Sequence, residues 1–197
     1  MQYYPQKLDR EAQVALLDAL RRIMAVAPLY TPTMPRSGRP MSVHMTNCGP
    51  LGWITDKDGG YRYQATHPVT GNPWPPMPQM LLDLWDEVAD YPFPPEACLV
   101  NYYAGAAKMG LHQDRDEEDF AAPVLSVSLG ATGIFRVGGR SRKDPTRKFE
   151  LKSGDVFMLD GEDRLAFHGI DRILAGTSDL LPEGGRINLT LRRVTKP

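Results

Sequence analysis

Apolar side chains recur every three or four positions between Arg10 and Val26, where Val14, Leu17, Leu20, Ile23 and Met24 fall on one face of a helix. Asp9 stands at the N-cap position, and Pro28 stops the pattern. The same spacing returns in QMLLDLWDEVADY through Leu81, Leu84, Trp85 and Val88, so a second helix is expected, ending before Pro92. Residues 31–60 are rich in Pro and Gly and read as irregular, with MTNCGPLGWITD as a tryptophan-bearing loop. GNPWPPMP, with four prolines, is irregular too.

From Cys98 onward the pattern shortens. CLVNYY, KMGLHQ, VLSVSLG, GIFRVGG, RKFELKSGD, VFMLD, RLAFHGI and RINLTLRRV are runs of β-forming residues broken by turn residues. Eight strands after two helices predict an α+β, mainly β chain: a double-stranded β-helix, or jelly-roll, core with the N-terminal helices packed on one face. The chain has 197 residues, 42% hydrophobic and 24% charged, enough for one sizeable core, and neither a repeat nor a low-complexity stretch divides it. Residues 1–197 are therefore expected to form a single domain.

The formal net charge is -1, so any polyanion must be met by a local patch. FRVGGRSRKDPTRK offers one, with Arg136, Arg140, Arg142, Lys143, Arg147 and Lys148 against the single acid Asp144. Cys48 and Cys98 belong to no metal-binding cluster, which points to a reduced, cytoplasmic chain without structural zinc. The N-terminus lacks a basic region followed by an apolar run, and no apolar stretch is long enough to span a bilayer, so no membrane partner is expected. A monomer is the default.

The chemistry concentrates in GLHQDRDEED. On a strand, positions i and i+2 face the same side, so His112 and Asp114 can present an imidazole nitrogen and a carboxylate oxygen to one point. His168, closing RLAFHGI, can join them from a neighbouring strand. Two histidines and one carboxylate leave metal positions open for a cosubstrate and O₂, as a non-haem Fe(II) oxygenase requires; zinc accepts the same ligands. In RINLTLRR, Ile187, Leu189 and Leu191 alternate with Arg186, Asn188, Thr190 and Arg192. The polar face can point into the barrel mouth, where guanidinium groups bind the carboxylates of a small diacid. Asn101 and Tyr103, also spaced i and i+2, can complete that anion pocket.

NYYAGAAKMGLHQDRDEED, PVLSVSLGATGIFRVGG, FHGI, RINLTLR and MSVHMTNCGPLGW together closely resemble the bacterial branch of the AlkB family of Fe(II)- and 2-oxoglutarate-dependent nucleic-acid dealkylases. The resemblance runs from about Met41 to Val194. It implies nucleotide-recognition loops and helices in 1–95 and a catalytic jelly-roll in 96–197, with Fe(II), 2-oxoglutarate and O₂ as cofactor and cosubstrates. His112, Asp114 and His168 match the iron ligands. Asn101, Tyr103, Arg186, Asn188 and Arg192 match the 2-oxoglutarate pocket, Arg186 toward the distal carboxylate and Arg192 nearer the chelating end. Trp53 and Tyr61 match loop residues that stack on the damaged base or contact its backbone, and Asp116 and Arg142 match residues lining the base pocket.

The implied reaction is oxidative removal of N-methyl groups from 1-methyladenine and 3-methylcytosine in single-stranded DNA, with RNA as a second possible strand. It releases formaldehyde, succinate and CO₂. A flipped base is commonly held between an aromatic face and an imidazole, roles open to Trp53 and His112, and Asp116 beside it would favour a cationic ring. The alternatives are a 2-oxoglutarate oxygenase acting on a protein or small molecule, and a metal-free module that only binds modified nucleic acid. Leu159 stands where relatives can carry an aromatic, and Ala104-Gly105 replaces a proline-containing turn.

Overall fold

The computed structural model describes residues 1–197. In chain order it contains β1 (Gln2–Tyr4), α1 (Arg10–Val26), β2 (His44–Cys48), β3 (Gly52–Asp56), β4 (Gly60–Gln64), α2 (Gln79–Val88), β5 (Ala97–Tyr103) and β6 (Met109–His112). There follow β7 (Val124–Gly130), β8 (Thr132–Val137), β9 (Arg147–Leu151), β10 (Val156–Leu159), a 3₁₀ turn (Gly161–Asp163), β11 (His168–Leu174) and β12 (Arg186–Arg192). Six strands form one sheet in the order β1-β10-β7-β12-β5-β2, and four form a second in the order β6-β11-β8-β9. The β3-β4 hairpin pairs with neither. Every pairing is antiparallel, giving the expected double-stranded β-helix with both helices on one face. Neither helix is long and apolar enough to cross a membrane.

Asp9 caps α1, its Oδ1 accepting from the Ala12 amide at 2.8 Å, a contact worth about 1 kcal/mol. The buried arc differs from the predicted one: it runs through Gln13, Leu16, Leu17, Leu20 and Ile23, while Val14 is 42% exposed. At about 100° per residue Val14 lies roughly 60° beyond Leu17, off the stripe that meets the sheet. In α2, Leu81, Leu84 and Trp85 are buried as predicted.

Strand pleating divides the interior into two layers. Val100 of β5, Leu125, Val127 and Leu129 of β7, and Ile187, Leu189 and Leu191 of β12 pack against the helices. Their alternate neighbours, among them Leu99, Tyr103 and Val124, face the second sheet with Phe135, Leu151 and Ile170. The polar face of β12 therefore points between the sheets, and as the strand is central, flanked by β5 and β7, that face is buried along its whole length.

All eight strands expected after Cys98 form, but the N-terminal part holds four more. MTNCGPLGWITD is not a loop: it supplies β2, an edge of the main sheet, and β3. Hydropathy hid β2 because its polar residues are satisfied by distant partners. Thr46 Oγ1 donates to the Ala27 carbonyl at 2.8 Å, and the Asn47 amide bonds both the N–H and the carbonyl of Trp53 at 3.0 Å. Since β1 and β2 both join the six-stranded sheet, residues 1–95 contribute to the jelly-roll as well as carrying helices and loops. Sequence also placed one strand too early: β11 runs from His168 to Leu174, whereas RLAFHGI spans 164–170. Arg164 is drawn inward, donating to the carbonyls of Ala122 and Asp114 at 2.8 and 2.7 Å, and this holds the residues before His168 out of the sheet.

Candidate active site

His112 and His168 are directly opposed in register on β6 and β11, with ring centroids 4.5 Å apart. The close pairing depends on Gly169, where an added Cβ would stand 2.5 Å from the Met109 carbonyl oxygen. Asp114 is not on the strand, which ends at His112. Its position comes from arginines instead: Arg164 takes its carbonyl, and Arg192 donates to Oδ2 from Nε at 3.2 Å and Nη2 at 2.9 Å. The carboxylate oxygens then lie 3.7 Å from His112 Nε2 and 3.8 Å from His168 Nε2, and the three potential ligand atoms fall within 4.8 Å of one another.

Both imidazoles are oriented by the backbone. Nδ1 of His112 donates to the Gly110 carbonyl and Nδ1 of His168 to the Ala166 carbonyl, each at 2.9 Å. A carbonyl only accepts, so each Nδ1 carries the proton and each Nε2 lone pair is free to point at the metal position. Burial lowers His168 to about 4, keeping it neutral at physiological pH. Burial would raise Asp114, but the charge and hydrogen bonds of the Arg192 guanidinium outweigh it and hold the carboxyl well below its ordinary range. Two imidazoles and one carboxylate fit Fe(II), with coordination positions to spare.

Beside this cluster lies a second, cationic pocket. Arg186 is fully buried; its Nη2 donates to Ser128 Oγ at 2.8 Å, while Nε and Nη1 have no partner. Arg192 Nη1 and Asn101 Oδ1 are likewise buried without partners. Orphaned guanidinium donors cost several kcal/mol unless an anion meets them, so they fit the carboxylates of 2-oxoglutarate. Burial lowers Arg186 to about 10, still charged near neutrality, and raises Tyr103, across the strand pair from it, to about 12, so the phenol stays a donor. Asn188 reaches Ser126 Oγ at 2.7 Å. Gly133 on β8 makes room for the cation: a Cβ there would lie 2.5 Å from Arg186 Nε.

Both pockets open into a cavity of about 1000 Å³, which also meets Trp53, Tyr61, Asp116 and Arg142. Trp53 stacks on Tyr61 with centroids 5.6 Å apart and planes 21° from parallel, and donates from Nε1 to Asp116 Oδ2 at 2.8 Å. Arg142 lies over the Phe167 ring at 5.0 Å. Leu159 also lines the cavity.

A family model described as the 2OG-Fe(II) oxygenase superfamily matches residues 1–192. The chain belongs to that superfamily. Within it the chain is an AlkB-type member. It is 57% identical over 190 residues to the alpha-ketoglutarate-dependent dioxygenase AlkB homolog of Caulobacter vibrioides, covering 96% of this chain and 86% of that protein. It is 48% identical over 163 residues to alpha-ketoglutarate-dependent dioxygenase AlkB of Escherichia coli, covering 81% of this chain and 74% of that protein. A solved structure described as "The structure of OsALKBH1" superposes with a TM-score of 0.78 at 32% identity, covering 97% of this chain and 95% of that one. This AlkB-family protein is therefore an Fe(II)- and 2-oxoglutarate-dependent dioxygenase.

The sequence did not reveal what supports this oxygenase site. Glu117 is buried, accepts from the Tyr63 hydroxyl, and lies 3.1 Å from Arg164 and 3.4 Å from Arg192. In DRDEED it reads as one more acid of a solvated run; only the three partners, none near it in sequence, distinguish it. The basic hairpin between β8 and β9 also needs correction, because Arg136 is paired with Asp171 of β11 at 2.8 Å. The remaining cations of that segment have no such partner.

Proposed function

We propose that this chain is an oxidative demethylase that repairs 1-methyladenine and 3-methylcytosine in single-stranded DNA, and acts on RNA. In this reading residues 1–197 work as one catalytic domain, as a cytoplasmic monomer. The observation that carries the reading is the continuity of one cavity from the His112, Asp114 and His168 cluster to the Trp53, Tyr61 and Asp116 mouth. Cys48 and Cys98, opposed in register on β2 and β5, are both free thiols, which agrees with a reducing compartment.

In this reading His112, Asp114 and His168 would hold Fe(II); Arg186 would take one carboxylate of 2-oxoglutarate, and Arg192, with Asn101, Tyr103 and Asn188, would frame its other end. When bound, Fe(II), 2-oxoglutarate and O₂ supply the oxidation, yielding succinate and CO₂ and placing one oxygen atom on the N-methyl carbon. The chain supplies position and electrostatics. The Trp53-Tyr61 stack offers an aromatic wall to an unstacked base, and Asp116 offers a carboxylate to a ring that methylation has made cationic. Arg142 lies at the same mouth, over Phe167. The hydroxymethylated nitrogen then loses formaldehyde, restoring the base.

The deciding assay is formaldehyde release from a 1-methyladenine-containing single-stranded DNA with Fe(II) and 2-oxoglutarate present, and with each omitted in turn. Turnover that needs both is the expected result. Binding of Fe(II) and 2-oxoglutarate with no release from methylated DNA or RNA, but turnover of a methylated peptide, would overturn the nucleic-acid reading.

A further inference from the structure

Positive charge is unevenly placed on a chain whose net charge is only -1. Arg62, Arg136, Arg164 and Arg193 each face a carboxylate within 4.0 Å. Arg36, Arg39, Lys108, Arg115 and Arg142 have no such partner, yet all are exposed and all line the cavity that holds the iron ligands. Cations left unpaired around one opening raise the local concentration of anions there.

Arg36 and Arg39 are of particular interest because they sit on a constrained turn away from the β8-β9 hairpin. Thr33 and Pro40 form a β-bridge, the Met34 amide donates to the Arg39 carbonyl at 2.9 Å, and the Gly38 amide donates to the Met34 carbonyl at 2.8 Å. Gly38 has φ +65°, which a side chain would resist. The segment TMPRSGRP contains no acid to neutralise the two guanidinium groups. Its tip abuts the turn of the aromatic hairpin, where the Lys57 side chain lies against Gly38. Arg142, by contrast, stacks on Phe167, the residue before His168. The two basic elements thus border different walls of one cavity: the hairpin carrying Trp53 and Tyr61, and the strand carrying an iron ligand.

We propose that the 33–40 turn is a second phosphate-binding element, with Arg36 and Arg39 gripping the nucleic-acid backbone on the aromatic-hairpin side while Arg142, which lines the cavity, and its exposed neighbours Arg140 and Lys143 on the same hairpin grip it on the iron-strand side. This deepens the dealkylase reading and rests on it. Guanidinium pairs suit phosphate because they donate in a planar fork. Holding the backbone on both flanks fixes the strand across the mouth and offsets the cost of unstacking the base between them. One flank alone would leave the strand free to pivot. The two elements therefore read nucleotides on opposite sides of the lesion.

The test compares the wild-type protein with Arg36→Glu/Arg39→Glu and with Arg140→Glu/Lys143→Glu. The substrates are a 1-methyladenine mononucleotide and single-stranded pentanucleotides carrying the lesion at the centre, the 5′ end or the 3′ end. Reversal at 36 and 39 is expected to raise KM on the central lesion on the order of tenfold. It should lower the slope of log affinity against log salt by about 1.4, two contacts at roughly 0.7 each for a single strand. kcat and the mononucleotide KM stay unchanged. Each double variant should penalise only one of the two end-lesion substrates, and not the same one. An unchanged pentanucleotide KM and salt slope for Arg36→Glu/Arg39→Glu would overturn the proposal, as would equal penalties on both ends. If the wild-type protein releases no formaldehyde from any of these, the dealkylase reading fails. Fluorescence anisotropy with an unmethylated pentanucleotide then decides the turn alone: binding weakened by the reversal upholds a phosphate element, and equal binding removes it.

Discussion

Arg192 places two hydrogen bonds, from Nε and Nη2, on the single oxygen Oδ2 of Asp114. A residue of the last strand thereby orients a carboxylate that no strand holds, and the same guanidinium lies 3.4 Å from Glu117 with Nη1 still unpartnered. The candidate metal cluster, the cationic pocket beside it and the acidic loop thus share one side chain.

A lysine at position 192 keeps the charge but not the fork. Arg192→Lys is expected to raise the KM for 2-oxoglutarate and to weaken metal binding, each on the order of tenfold, equivalent to about 1.4 kcal/mol. Calorimetry with Mn(II) in place of Fe(II) separates the two effects; an unchanged metal affinity would show that Arg192 does not position Asp114.

Gly133 touches neither iron nor base, yet a Cβ there would press on Arg186 Nε at 2.5 Å. Gly133→Ala should raise the KM for 2-oxoglutarate about tenfold or more while leaving the KM for a methylated oligonucleotide near the wild-type value. Steady-state kinetics varying one substrate at a time distinguishes this from general damage, which would move both.

Removing one member of a buried ionic set leaves the others uncompensated. Glu117→Ala strands Arg164 and loosens Arg192, so it should cost about 3 kcal/mol in urea unfolding of the metal-free protein. Tyr63→Phe, which deletes only a neutral donor to the same carboxylate, should cost about 1 kcal/mol. Equal costs would mean that burial of charge is not what makes Glu117 matter.

In the proposed reading, Asp116 offers its charge where a methylated base would enter. Asp116→Asn should lower kcat/KM on 1-methyladenine, which is cationic, by about tenfold, and leave a neutral etheno adduct within about twofold of its wild-type value, because only the cationic ring loses a Coulomb partner. A parallel loss on both lesions would assign Asp116 to holding Trp53 instead, through the bond to its Nε1.

Glu96 fastens the C-terminal segment, accepting from the amides of Val194 and Thr195 at 2.9 and 2.7 Å and from the Thr195 hydroxyl at 2.8 Å. Burial alone would raise its carboxyl, but these bonds and Arg193 hold it below the ordinary value. A carboxyl lowered by folding stabilises the fold above its unfolded pKa, and that contribution disappears as pH falls through the folded value. The wild-type protein should exceed Glu96→Gln by about 1 kcal/mol at pH 7 in urea unfolding, and the two should converge in strong acid. A gap that persists in acid would rule out the carboxylate charge as its source.

The sequence determined the features that depend on local chemistry and short periods. Alternation in RINLTLRR is enough to send Arg186, Asn188, Thr190 and Arg192 to one side, because strand pleating depends on nothing distant. Helical spacing and Asp9 located α1, and the spans around His112, Asp114 and His168 indicated the family and its metal chemistry. Tertiary structure decided everything set by a remote partner. Asp114 is oriented by Arg192 and Arg164 and not by a strand pleat; Glu117 is a buried counter-ion and not a solvated acid; Gly133 is a gap shaped for Arg186. Likewise β2 looked like a loop because Thr46 and Asn47 find their hydrogen bonds at Ala27 and Trp53. A polar residue's burial depends on which partner the fold brings to it, and that pairing is a property of the packed chain, absent from any short window of sequence.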